Sequence, residues 1–146
     1  MKGFKDMTPE YRKHVTDVET RAQAFYGVDS LESVVARFHD ALEDGEKTLD
    51  ELPGAIHDYY PVLSDTLVTA LVDSIVAITR QKGEVYMDYI KRVAKDPLAR
   101  RVKILDLKQN LYWSETLPPG DLKQRYKRAL QLLEYKIGWW SGAEHK

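Results

Sequence analysis

Along most of the chain, apolar residues recur three and four positions apart, the spacing of a helix that buries one face. Leu63, Leu67, Leu71, Ile75 and Ile78 form the longest such stripe and predict a helix over residues 61–80, near the centre of the core. Leu122, Tyr126, Ala129, Leu130 and Leu133 form another, predicting a closing helix over about 121–137. A shorter amphipathic pattern covers 85–93. No segment alternates with the period of two that marks a strand.

Helix punctuation divides the remainder. Thr8-Pro9-Glu10 gives an N-cap, a proline at the first helical position and an acid near the positive end of the dipole, so a helix should run to about Phe25. Gly27 can end it in a left-handed cap, and Ser30 with Leu31-Glu32-Ser33 starts a second helix reaching about Glu43, antiparallel to the first. Thr48-Leu49-Asp50-Glu51 is a capping box ahead of a short helix that Pro53-Gly54 should stop. Gly83 breaks the chain again, and Asp96-Pro97 opens the helix that carries Asp106. The expectation is an all-α bundle of six or seven helices, one domain over residues 1–146 with flexible ends at 1–7 and 141–146.

Composition narrows what such a bundle can do. With 146 residues the chain can bury one sizeable core, and 43% hydrophobic with 31% charged residues is ordinary globular usage. The absence of cysteine excludes disulfides, thiolate metal sites and cysteine nucleophiles, so any metal must use nitrogen and oxygen ligands. No run approaches the roughly 20 apolar residues that span a bilayer, and the N-terminus carries no signal-peptide pattern, which makes the cytoplasm the default expectation. A net charge of −1 argues against a nucleic-acid partner.

The chemistry concentrates in two places. His39-Asp40-Ala41-Leu42-Glu43-Asp44 closes the second predicted helix, where four-residue spacing pairs His39 with Glu43 and Asp40 with Asp44. A bare His-Asp pair is ordinarily a solvated helix end, and the two added carboxylates point instead to a shared site. His57-Asp58 serves as a control: it falls between Pro53-Gly54 and Pro61, with no carboxylate pair after it, and is expected in a surface loop. Farther along, Asp106 and Asn110 stand one turn apart in an apolar helix, with Lys103 beside them. A buried carboxylate needs a partner, which a metal or a basic side chain would supply. Trp139-Trp140 near the C-terminus is expected to pack in the core.

These runs resemble the HD superfamily of metal-dependent phosphohydrolases. "RFHDALEDGEKTLDEL" from Arg37 is similar to the family's HD helix with its following Glu-Asp, and "GEVYMDYIKRVAKDPLARRVKILDLKQNL" resembles the helix that brings a distant metal-binding Asp. Tyr11-Arg12-Lys13-His14 matches the family's Tyr-x-x-His-Pro setting about two dozen positions before the HD pair, with Val15 in place of the proline. The likeness covers residues 11–111. In pattern it is nearest to small single-domain hydrolases related to the hydrolase half of the Rel/SpoT alarmone enzymes.

What the resemblance implies is specific. The metal ligands would be His14, His39, Asp40 and Asp106. Such a set suits Mn²⁺, Fe²⁺, Zn²⁺ or Co²⁺ better than Ca²⁺, and the family points to Mn²⁺. Glu43 and Asp44 would orient the attacking water and take its proton. Asn110 would contact the substrate sugar or phosphate, with Lys103 and Arg100 offsetting phosphate charge. The implied reaction removes a 3′-pyrophosphate from a guanosine alarmone such as ppGpp, or from an adenosine analogue. Two alternatives stand beside it: a phosphatase of nucleoside monophosphates, and a non-catalytic nucleotide-binding protein with the same fold. The expected partner is a small nucleotide, with no nucleic acid and no membrane, and homo-oligomerisation is left open. Relatives carry a further helix before the position of Tyr11, so the pocket is expected to be more open on the base side.

Overall fold

The computed structural model describes the backbone over residues 9–114 and 120–143, and side chains within 17–112 and 122–134. Among these residues there are seven α-helices and no strand: α1 (Pro9–Tyr26), α2 (Leu31–Phe38), α3 (Leu52–Tyr59), α4 (Asp65–Ile78), α5 (Tyr86–Val93), α6 (Pro97–Ser114) and α7 (Asp121–Ala143). A single 3₁₀ turn, Leu49–Glu51, leads directly into α3. The all-α expectation is met.

Local chemistry sets most boundaries. Ser30 Oγ accepts the Ser33 N–H at 3.1 Å and Ser64 Oγ accepts that of Leu67 at 3.2 Å, so each N-cap satisfies one orphan donor. The Thr48 N–H donates to Glu51 Oε1 at 2.8 Å, the returning half of the expected capping box. Gly27 and Gly83, with φ of 110° and 79°, take the left-handed conformation that lets the chain reverse after α1 and between α4 and α5.

Four boundaries differ from expectation. Helix α2 stops at Phe38, five residues short of Glu43, and the chain continues as turns held by Ala41 N–H to Phe38 O (3.0 Å), Asp44 N–H to Asp40 O (2.9 Å) and Gly45 N–H to Leu42 O (3.3 Å). His39-Asp44 therefore sits on a tight turn rather than on a helix face. Pro53-Gly54 does not stop a helix; Pro53 lies in the first turn of α3, where its missing N–H costs nothing. His57 and Asp58 consequently lie on α3 and not in a loop. The stripe over 61–80 is helical only from Asp65, because Ser64 supplies the cap. At the other end α7 continues to Ala143, past Ile137 and into the expected tail. The Trp139-Trp140 side chains and residues 1–7 and 144–146 lie outside the described residues.

The centre of the bundle is α6 rather than α4. Helix α6 touches α1, α2, α4, α5 and α7. Its Ala99, Val102, Ile104, Leu105 and Leu107 are buried, and so are Arg100, Asp106 and Gln109, so it is enclosed on nearly every side. Leu71 and Ile75 of α4, Val34 and Val35 of α2, Ile90 and Val93 of α5 and Leu133 of α7 complete the core. Among the described residues no helix is long and apolar enough to cross a membrane.

The start of α6 is fixed by Asp96. Its Oδ1 accepts the Ala99 N–H at 2.9 Å and the Ser74 hydroxyl of α4 at 2.9 Å, while Pro97 takes the first helical position. Asp96→Ala should leave both donors without their acceptor and cost about 1–3 kcal/mol, read as a lowered urea midpoint. Asp96→Ser should recover most of the loss, and equal midpoints for the two variants would show that the cap does not anchor α6.

Candidate functional site

Three segments bring the candidate residues together. The cap at Asp96 sets the register of α6, so Lys103, Asp106 and Asn110, spaced three and four apart, share one face. The turn after α2 presents His39, Asp40 and Glu43. Helix α7 crosses with Arg125 and Tyr126. Apart from His39, which is buried behind Asp40 and Asp106, these residues line a polar cleft of about 250 Å³, to which α5 adds Tyr86 and Tyr89 and the end of α4 adds Arg80.

At its floor lies a buried charge cluster. His39 Nδ1 sits 2.6 Å from Ala36 O, a geometry that makes Nδ1 the donor and points Nε2 into the site. Nε2 is 3.2 Å from Asp40 Oδ2 and 3.6 Å from Asp106 Oδ1. Burial works to lower the imidazole pKa, but the Asp40 and Asp106 carboxylates override it, and the group is raised well above its ordinary value. Asp106 divides its oxygens: Oδ1 faces His39 and Oδ2 accepts from Lys103 Nζ at 2.8 Å. For Lys103 too, burial opposes the charge while Asp106 outweighs it, and the ammonium pKa is raised well above its usual range.

The donor set fits a divalent metal in its chemistry. Ligands around an ion at about 2.0–2.2 Å stand roughly 3–3.6 Å from one another, the spacing found between Nε2 and the two carboxylates. A metal-binding imidazole ordinarily donates its other N–H to a carbonyl, as His39 does to Ala36. Among the described residues, however, no three His, Asp or Glu side chains stand as a ready metal-holding group. Closure would require the carboxylates to turn inward and a further ligand to join them. His14, the expected further ligand, lies in α1 with its side chain outside the described residues. One turn along α1, Asp17 accepts from Gln109 of α6 at 3.2 Å, which sets that part of α1 against α6 between Asp106 and Asn110.

The other expected site residues divide. Glu43, Lys103 and Asn110 line the cleft, whereas Asp44 and Arg100 are not part of its lining. Arg100 is buried and donates to Ala94 O at 3.3 Å, serving the C-terminal end of α5 rather than a ligand. His57 also stays outside, with Nε2 3.2 Å from Asp65 Oδ1 at the head of α4. Sequence reasoning missed Arg80, Tyr86 and Arg125. The Arg125 and Arg80 guanidinium carbons lie 4.8 and 5.3 Å from the Tyr86 ring centroid, a cation–π grouping that forms the cationic wall of the cleft. The run Gln124-Arg125-Tyr126-Lys127-Arg128 carried a signal of this wall, but Arg80 and Tyr86 reach it only through tertiary packing.

No family model matches the chain. The chain is similar to a probable GTP pyrophosphokinase of Mycobacterium leprae, with 30% identity over 107 residues. That match covers 73% of this chain and 13% of the relative, so the chain spans a small part of the relative's length.

The Lys103–Asp106 pair is nearly excluded from water, at 12% and 6% side-chain exposure. Lys103→Met should therefore destabilise the fold by about 3 kcal/mol, because it leaves a buried carboxylate without its cation. Combining it with Asp106→Asn should cost less than the two single losses added together. Additive midpoints in thermal unfolding would show that the two side chains are not coupled.

Proposed function

We propose that the chain is a metal-dependent phosphohydrolase of the HD type that removes the 3′-pyrophosphate of a guanosine alarmone or a related adenosine analogue. The observation that carries this reading is the convergence of His39, Asp40 and Asp106 at the floor of a cleft walled by Arg80, Lys103 and Arg125. The relative's name supports a connection to guanine-nucleotide pyrophosphoryl chemistry.

His14, His39, Asp40 and Asp106 would hold the ion, Mn²⁺ by resemblance. When bound, such an ion lowers the pKa of water and polarises a phosphoryl oxygen. The chain's own residues do the rest. Glu43, at the mouth of the cleft, orients the attacking water and accepts its proton, with Asp44 assisting from the same turn. Arg80, Lys103 and Arg125 offset the charge spread over the phosphoryl oxygens, and Asn110 contacts the ribose. Water adds to the 3′-linked phosphorus, and the bond from phosphorus to the 3′-oxygen breaks. That oxygen takes a proton, and the products from ppGpp are GDP and pyrophosphate.

The relative's name, pyrophosphokinase, suggests a second reading in which the same group is transferred to a nucleotide rather than to water. The acidic mouth favours water as the acceptor, because the Glu43 carboxylate there would repel the phosphates of a second nucleotide. Purified protein incubated with ppGpp and Mn²⁺ should release pyrophosphate, and with ATP and GTP should form no ppGpp. Formation of ppGpp, or orthophosphate release from nucleoside monophosphates alone, would remove the alarmone-hydrolase assignment. Asp106→Ala should lose the metal and the turnover. Glu43→Gln should keep the metal and lose about 10²-fold in kcat.

A further inference from the structure

The mouth of the cleft depends on a device outside it. Glu43 is exposed on the turn after α2. Its Oε1 accepts a hydrogen bond from the backbone N–H of Arg80 at 3.2 Å. The direction of the proposed water-orienting carboxylate is thus set by one peptide group at the end of α4.

Arg92 of α5 determines where that peptide group lies. Helix α4 has no basic residue in its last turn to serve its orphan carbonyls, and Arg92 reaches across to do so. Its Nη1 donates to Ala77 O at 3.0 Å and Val76 O at 3.4 Å, and its Nη2 donates to Thr79 O at 2.9 Å. The remaining donors grip Glu84 at both oxygens, Nε to Oε2 at 3.0 Å and Nη2 to Oε1 at 2.9 Å. Every N–H of the guanidinium is committed.

Glu84 passes the hold back to the connection between α4 and α5. Its Oε1 accepts the Gln81 N–H at 3.0 Å, and its backbone carbonyl accepts Arg80 Nε at 3.0 Å. The Glu84 N–H closes the turn on Gln81 O at 3.0 Å, with Gly83 at positive φ. Arg92 and then the Gln81 N–H hold the Glu84 carboxyl down to about 2, so the pair stays ionised wherever an enzyme of this kind would work. A lysine could not substitute, since an ammonium lacks the planar fork that spans carbonyls and carboxylate together.

We infer that the Arg92–Glu84 pair is a positioning device that fixes the Arg80 peptide, and through it aims Glu43 and holds Arg80 at the cleft wall. The functional part of this inference rests on the reading of Glu43 as the water-orienting group, whereas the mechanical part does not. Neither Arg92 nor Glu84 lines the cleft, and they act only through Arg80 and Glu43.

Two measurements on the full chain test it. Amide exchange by NMR should show the Arg80 N–H opening about 10-fold more often in Arg92→Lys, with the core amides of Ile75 and Leu107 unchanged. Kinetically, Arg92→Lys should lower kcat by about 10²-fold with little change in KM, as expected of a misaimed group. The same substitution should lower kcat by clearly less in a Glu43→Gln background, where only the hold on Arg80 is left to lose. Glu84→Gln should follow Arg92→Lys in both readouts. Unchanged protection of the Arg80 amide would overturn the device, as would an equal kcat loss in both backgrounds, which is what general loosening would give. Absence of ppGpp turnover by the unsubstituted protein would instead defeat the hydrolase reading, and the exchange measurement would still decide whether Arg92 holds the Arg80 peptide.

Discussion

A carboxylate in the middle of the central helix is the constraint around which the site is arranged. Asp106 is 4% exposed on α6, the helix that touches five others, and an ion so placed must be compensated where it stands. Lys103 supplies a cation one turn away on the same helix, at 2.8 Å, and His39 approaches the other oxygen from the turn after α2. A purely apolar residue at this position would pack at lower cost. On the proposed reading the polar arrangement is a reactive centre rather than a source of stability, and it ties the end of α2 to the middle of α6 in one register.

That tie explains why α2 is short. Regular helix through Glu43 would carry His39 and Asp40 on around the axis, one hundred degrees apart, and only one of them could face Asp106. Ending the helix at Phe38 lets the imidazole Nδ1 donate to Ala36 O while Nε2 and Asp40 both approach the same point. Gly45, at φ 74°, then permits the chain to leave. The local departure from helix is what makes two adjacent residues convergent.

Sequence made the helical class and much of the punctuation legible because caps, prolines and glycines act locally: Ser30, Asp96-Pro97, Gly27 and Gly83 all mark true boundaries. It also disclosed the Lys103, Asp106 and Asn110 face, since three and four are helical steps. It misplaced what depends on the third dimension. Pro53 opens a helix instead of closing one, because the 3₁₀ turn before it already supplied the cap. The α4 stripe was longer than that of α6 and so seemed more central, although a helix buried all round shows no stripe at all. Arg100 and Lys103 looked alike as neighbouring cations, yet, one turn of helix apart, the first donates back to Ala94 O at the end of α5 and the second reaches forward to Asp106.

The charge of the cleft gives a physical reason for a metal on the proposed reading. Among the described residues lining it, Arg80, Lys103 and Arg125 stand against Asp40, Glu43 and Asp106, so the cations are formally matched before any ligand arrives. A pyrophosphorylated nucleotide brings several further negative charges into a partly dehydrated space where ε is well below that of water, and three already-compensated cations cannot absorb them. Removing the acidic groups would relieve the repulsion but would also remove the residues able to orient water and accept its proton. A divalent ion among His39, Asp40 and Asp106 answers both demands, because it turns the inner carboxylates from repulsive groups into ligands and leaves Glu43 free at the mouth. In this arrangement the acidic character of the site, which taken alone disfavours phosphate, becomes the condition for binding it together with a metal.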